Sequence, residues 1–212
     1  MKGYLFDLDG TLIQSMHVWE DAVLHLFDKL QLTMDIEQAR AAFSAMKFSE
    51  VLEEIIRIFH LDMDVNTMYD LVISEVRDQY EHHIPAVDGA IQYVQQCYEA
   101  GKQMCVVTAN DVPLTKAVLK RLGMLDYMHF ILSSEDSGLT KRTPEMALAA
   151  ISKLQLLPAQ CVMFEDSLYS MRSAKAAGCH VVAISSDRGQ DRSTIMQVAD
   201  AIYPDFTTVP IL

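Results

Sequence analysis

The sequence predicts an α/β fold: an open, doubly wound parallel sheet covered by helices on both faces and interrupted by an inserted all-helical block. Three observations predict it. Short apolar runs alternate with amphipathic helical segments from about residue 85 onward. Residues 16–82 carry helical periodicity with no convincing strand between the helices. Polar residues with chemical capacity follow the predicted strands in turn, as they do where a parallel sheet binds a ligand beyond the carboxyl ends of its strands.

The first strand is the run Tyr4, Leu5 and Phe6, which Asp7, Asp9 and Gly10 then break as a loop. Two aspartates spaced by two residues on an extended chain lie on the same side, so Asp7 and Asp9 could share one metal ion or one substrate. The same residues also suit an ordinary turn or helix cap. Ser15 reads as an N-cap for a helix carrying Val18, Trp19, Ala22, Val23, Leu26, Phe27 and Leu30. Asp35 with Gln38 forms a capping-box pattern opening a second helix through about Phe43. Val51 to Phe59 mark a third helix, and Asn66 to Tyr80 a fourth. The βα rhythm then starts. Asp88 is expected to cap a helix that Gly101 ends, Met104 to Val107 is a strand, and Pro113 to Leu122 is a helix closed by Gly123. A strand at Phe130 to Leu132, a helix from Pro144, a strand at Cys161 to Phe164 and a helix ended by Gly178 follow, with final strands at Val181 to Ile184 and Ala201 to Tyr203. Repeated strand–helix units imply parallel pairing with right-handed crossovers.

Composition narrows the function. Half of the 212 residues are apolar, enough for one large domain or one domain with an insertion. A net charge of −12 argues against a nucleic-acid or anionic-membrane partner, each of which needs a basic face. Cys97, Cys105, Cys161 and Cys179 form no CxxC pair, and a reducing, cytoplasmic setting is expected. Asp7 and Asp9 fall where a signal peptide needs an unbroken apolar stretch, and no run approaches membrane-spanning length.

The residues after the predicted strands are Asp7 and Asp9, then Thr108 and Asn110, then Lys141, then Glu165 and Asp166. Parallel topology would gather them at one sheet edge. Four carboxylates so placed repel, each close pair by about 4 kcal/mol at roughly 4 Å and an effective dielectric near 20. One lysine cannot balance that. A hard divalent cation can, and an all-oxygen set suits Mg²⁺ better than Zn²⁺, whose usual His or Cys ligands are missing.

These motifs resemble those of the haloacid dehalogenase superfamily, and their arrangement is similar to its β-phosphoglucomutase-like phosphatases with a helical cap. The match runs through Asp-Leu-Asp-Gly-Thr at 7–11, Val-Val-Thr ending at Thr108, Lys141 with Pro144 following, and Phe-Glu-Asp-Ser at 164–167. The resemblance implies a Rossmann-like core over 1–15 and 83–212 and a helical cap over 16–82. It implies that Asp7 is the nucleophile that becomes an aspartyl-phosphate and that Asp9 is general acid and base in turn. Thr108 and Lys141 would hold the phosphoryl oxygens, with Asn110 also on the substrate. Asp7, the Asp9 carbonyl and Asp166 would hold Mg²⁺, with Glu165 a ligand or an outer partner. Lys47, between cap helices, would read the leaving group or sit in a solvated loop.

Gln14, Arg142 and Ser170 stand where the family often has Asp, Pro and Gly, and none removes a reacting group. Trp19 occupies the spacing at which related mutases carry an assisting histidine, which favours a phosphatase of a small phosphorylated metabolite, a sugar phosphate being one candidate, over a β-phosphoglucomutase-like mutase. Asp9 disfavours carbon–halogen hydrolysis and phosphonate cleavage. An idle binding protein on the same fold would show a lost motif residue, and no loss is visible. Monomer and dimer are both compatible with the sequence.

Overall fold

The computed structural model describes residues 1–34, 48–184 and 192–212, apart from the side chains at 19, 20, 48 and 49. Two compact units divide the chain: Met1–Ser15 with Tyr80–Leu212, and Met16–Gln79. The division falls before Tyr80, whereas the helical pattern alone ran on to residue 82.

The larger unit holds six strands, β1 (Gly3–Phe6), β2 (Gln103–Thr108), β3 (Phe130–Ser133), β4 (Cys161–Glu165), β5 (His180–Ile184) and β6 (Ala201–Tyr203). They form one sheet in the order β3-β2-β1-β4-β5-β6, every pair parallel. From β1 the chain builds outward to β2 and β3, then returns to place β4 on the other side of β1. That reversal makes the carboxyl end of β1 and β4 the switch point of the sheet, where open α/β folds carry their ligand crevice. Register brings the ends together, with Phe6 opposite both Val106 and Phe164.

Alternation along β1 assigns its two faces. Tyr4 and Phe6 point into an aromatic layer in which the Phe6 and Phe164 rings stack at 4.9 Å, and Tyr93 and Phe206 pack at 5.1 Å. Leu5 points the other way, into a cluster with Val107, Ile151, Met163, Met171 and Val181. Burial on both faces explains why these strands read as continuous apolar runs rather than alternating ones. All four cysteines are unpaired and buried, and burial pushes the Cys97 thiol up to about 12.

In the smaller unit, α1 (Met16–Lys29), α2 (Phe48–Phe59) and α3 (Val65–Asp78) bury Ala22, Leu26, Leu52, Ile55, Val72 and Val76. Phe27 meets Phe59 edge to face at 5.6 Å. Asp64 caps α3, accepting the Thr67 amide at 2.8 Å. The helix expected from Asp35, and Lys47 with it, lie outside the described residues. A π-helical turn over Gln79–His83 returns the chain to the sheet.

Two expected caps differ from the structure. The helix α4 (Ala90–Glu99) starts after Gly89 with φ +76°, not after an Asp88 side-chain cap. The backbone there lies so close to the C-terminal segment that a Cβ would stand 2.7 Å from the Thr207 nitrogen, and the Asp88 carbonyl accepts the Phe206 amide at 2.9 Å. Ser15 precedes α1 as expected, but its hydroxyl is turned to Asp9. The helices α5 (Val112–Arg121), α7 (Glu145–Lys153) and α8 (Leu168–Ala176) fall close to their expected positions, Asp111 capping α5 through the Leu114 amide at 2.7 Å. The short α6 (Ser134–Ser137) and α9 (Arg192–Met196) had no periodicity long enough to predict them.

Candidate active site

Asp7 continues the ladder beyond β1, its amide donating to the Phe164 carbonyl at 3.0 Å. Its carboxylate, 4% exposed, accepts the Lys141 ammonium on Oδ1 at 2.5 Å and the Thr11 hydroxyl on Oδ2 at 3.1 Å. Gly10, at φ +82°, lets the loop turn at once, and its amide bonds the Ile13 carbonyl at 2.9 Å. The segment beyond is tied down by the Gln14 amide on the Pro85 carbonyl and the Val87 amide on the Leu12 carbonyl.

Lys141 is buried and bridges two carboxylates, Asp7 and, at 2.7 Å, Glu165. Burial opposes its charge, but the two carboxylates outweigh burial and hold its pKa above the ordinary lysine value. Asp7 is pushed up to about 7, first by burial and then by the Glu165 charge, with Lys141 acting against both. Glu165 is fully buried, and its acceptor capacity is met: Oε1 takes the Ser167 amide at 3.1 Å and hydroxyl at 2.7 Å, while Oε2 takes the Ser170 hydroxyl at 2.9 Å and Lys141. Ser170, which departs from the family pattern, therefore has a visible purpose as an anchor of Glu165.

Asp9 stands among neutral donors. Its Oδ1 accepts the hydroxyls of Ser15, at 2.5 Å, and of Tyr80, and its Oδ2 accepts the Asn110 side-chain amide at 2.5 Å. Burial raises its pKa, and the Ser15 and Tyr80 bonds oppose the rise. Thr108, fully buried at the end of β2, accepts the Asn110 backbone amide on its hydroxyl at 3.1 Å.

The sheet edge thus gathers Asp7, Asp9, Thr108, Asn110, Lys141, Glu165 and Asp166. Asn110, expected on the substrate, has its side chain engaged with Asp9 and Tyr80. Carboxylate oxygens of Asp7, Glu165 and Asp166 lie within 4.8 Å of one another, and the Asp9 carboxylate is not part of that cluster. The donor set is hard oxygen throughout, and one ammonium facing three carboxylates leaves excess negative charge, so the residues fit Mg²⁺. Since Glu165 is saturated, Asp7 and Asp166 are the side chains suited to ligation. Thr11, Ser15 and Tyr80 escaped the sequence reading. Thr11 lies inside the first motif and was recoverable there. Ser15 has the pattern of a cap and Tyr80 closes the fourth helical stretch, so neither carries a local signal of a role at Asp9.

With this geometry the comparison with known proteins is unambiguous. The profile of haloacid dehalogenase-like hydrolases matches residues 4–184, and the chain belongs to that family; it is a phosphoric monoester hydrolase of the haloacid dehalogenase type. Validoxylamine A 7'-phosphate phosphatase of Streptomyces hygroscopicus subsp. limoneus is 28% identical over 212 residues, spanning 98% of this chain and 95% of its own. Fructose-1-phosphate phosphatase YqaB of Escherichia coli (strain K12) is 26% identical over 186 residues, spanning 86% and 95%. CbbY from Rhodobacter sphaeroides, solved in complex with phosphate, shares the fold with a TM-score of 0.81 at 21% identity over 98% of this chain and 96% of that one. Among the described residues no helix is long and apolar enough to cross a membrane.

Proposed function

We propose that the chain is a Mg²⁺-dependent phosphatase that hydrolyses a small phosphorylated metabolite, a sugar phosphate, through an aspartyl-phosphate on Asp7. The observation that carries this reading is the pairing of Asp7 with Lys141 at 2.5 Å beside an Asp9 whose carboxylate, among the described residues, accepts from neutral donors. A buried carboxylate steadied by an ammonium suits a nucleophile, and a carboxyl among neutral donors suits proton exchange. The relatives named for validoxylamine 7'-phosphate and fructose 1-phosphate support a polyhydroxylated substrate.

In the first step an Asp7 oxygen bonds to phosphorus, the ester P–O bond breaks, and Asp9 gives its proton to the departing oxygen. In the second, water attacks phosphorus, the P–O bond to Asp7 breaks, and the water proton passes to Asp9. Lys141 and the Thr108 hydroxyl hold the peripheral phosphoryl oxygens, where charge develops. Mg²⁺, held by Asp7, Asp166 and the Asp9 carbonyl, would neutralise phosphate charge. Glu165 keeps Lys141 turned toward Asp7. The helical block is read as a cap supplying leaving-group contacts, Lys47 among them. Four unpaired, buried cysteines support a reducing cytoplasmic setting.

A screen of phosphorylated metabolites with Mg²⁺, reading phosphate release, tests the assignment, together with mass-spectrometric trapping of phospho-Asp7. Asp7→Asn should abolish both signals. Turnover by Asp7→Asn at the wild-type rate would refute the mechanism.

A further inference from the structure

Tyr80 is fully buried and lies far in sequence from the strand-end motifs, yet its hydroxyl reaches Asp9. The direction of that bond is determined by Asn110, whose side-chain amide has two protons. One goes to Asp9 Oδ2 at 2.5 Å and the other to the Tyr80 hydroxyl oxygen at 2.8 Å. A tyrosine that accepts from Asn110 has one proton left to give, and Asp9 Oδ1 receives it. Both members are pinned from behind. The Asn110 backbone amide bonds the Thr108 hydroxyl, and the Arg121 guanidinium holds the Tyr80 carbonyl at 3.3 Å and the Ile84 carbonyl.

The count of lone pairs then bears on the reaction. With Ser15 and Tyr80 both donating to Oδ1, that oxygen is saturated, and the one acceptor site Asp9 retains is on Oδ2. We propose that Tyr80, oriented by Asn110, is a positioning residue that confines the exchangeable proton of Asp9 to Oδ2. Losing the Tyr80 hydroxyl opens a second site on Oδ1 and releases the carboxyl to rotate, so protonation and delivery no longer coincide at one atom. The inference rests on the acid–base reading of Asp9 given above.

Leaving groups separate this role from a merely structural one. A general acid matters for an alkoxide and little for a nitrophenolate, and kcat/KM reports phosphoryl transfer to Asp7 whatever limits turnover. The experiment measures kcat/KM for wild type, Tyr80→Phe and Asp9→Asn on p-nitrophenyl phosphate, phenyl phosphate and an alkyl phosphate. Asp9→Asn is expected to show a loss that steepens with leaving-group basicity. Tyr80→Phe is expected to follow the same trend at smaller size, about tenfold on the alkyl ester and under about threefold on the nitrophenyl ester. A uniform loss, or none, in Tyr80→Phe alongside a steep Asp9→Asn would overturn the Tyr80 role and leave the acid assignment standing. A flat Asp9→Asn profile would overturn both. Should Tyr80→Phe not fold, Asn110→Ala, which frees the tyrosine hydroxyl to turn, must show the same slope, and a flat profile there counts against the proposal.

Discussion

Replacing Lys141 by methionine removes the one cation from between two buried carboxylates while keeping an unbranched apolar stem. At 2.5 Å and 2.7 Å each contact is worth about 6 kcal/mol at an effective dielectric near 20. Part of that sum offsets the cost of burying the ammonium, and the net loss on breaking such a buried pair is about 3–5 kcal/mol. For a chain of this length that is a fall in melting midpoint of about 6–20 °C. The assay is thermal unfolding at pH 7.5 in a chelator. The pH dependence has a definite sign. Asp7 already titrates above its ordinary range because of burial and Glu165, and without Lys141 it rises further. A carboxyl raised in the folded state keeps its proton where the unfolded chain has lost it. The destabilisation is therefore absent below the ordinary carboxylate pKa and grows as pH rises toward the folded value. The methionine variant should accordingly recover on acidification from pH 7.5 toward 5, and Mg²⁺, bringing positive charge back to Asp7 and Asp166, should recover part of the loss at pH 7.5. Equal midpoints for the two proteins in chelator, or a deficit that widens on acidification, would refute the charge balance.

Gly89→Ala should destabilise by about 2 kcal/mol or more, combining a left-handed backbone at φ +76° with a Cβ 2.7 Å from the Thr207 nitrogen; a denaturant midpoint unchanged from wild type would contradict that packing. Ser173→Ala should stabilise by about 1 kcal/mol, because the buried Ser173 Oγ finds no hydrogen-bond partner among the described residues and lines a small cavity with Lys141, Met146 and Val107; calorimetric destabilisation would show that the hydroxyl is satisfied by a bound water. β-Glucose 1-phosphate, if accepted, should give glucose and inorganic phosphate, and accumulation of glucose 6-phosphate by phosphorus NMR, with little free phosphate, would instead support a mutase.

The legible part of the molecule was the part whose signals are local. Tyr4-Leu5-Phe6 and Cys161-Val-Met-Phe read as strands because burial on both faces demands continuous apolar runs, and the residues that follow them are polar for a reason the sheet supplies. Gly123 and Gly178 end helices where left-handed backbone is needed, so those boundaries were visible as well. What escaped depended on contacts distant in sequence. Tyr80 is separated from Asp9 by 71 residues, and in a helical pattern an aromatic residue reads as core packing. Asn110 follows β2, and nothing near it in sequence announces the tyrosine and carboxylate that engage its amide. Ser15 satisfied every rule for an N-cap and was claimed by a carboxylate that the loop folds back beside it.

Asp7 and Asp9 show why the motif alone leaves their division of labour open. They are two residues apart, both are acidic, and burial raises the pKa of each. What separates them is the charge of their donors. Lys141 is drawn to Asp7 because Glu165, itself saturated by Ser167 and Ser170, holds the ammonium from the β4 side. Asp9 meets hydroxyls and an amide, with the Lys141 charge acting on it only from a distance, so its donors oppose protonation less than an ammonium in direct contact would. Environments that push two carboxyls toward different behaviour are the usual basis for assigning acid–base roles. Here the difference originates in β4 and the helix that follows it, not in the loop that carries both aspartates. Substituting Ser170 with alanine should therefore affect Asp7 before Asp9: freed of one anchor, Glu165 holds Lys141 less firmly, and formation of the phospho-Asp7 intermediate should slow while the leaving-group dependence that reports Asp9 stays at its wild-type slope. A changed slope with an unchanged rate of phosphorylation would place the control of Asp9, rather than of Asp7, on the β4 side and refute this account.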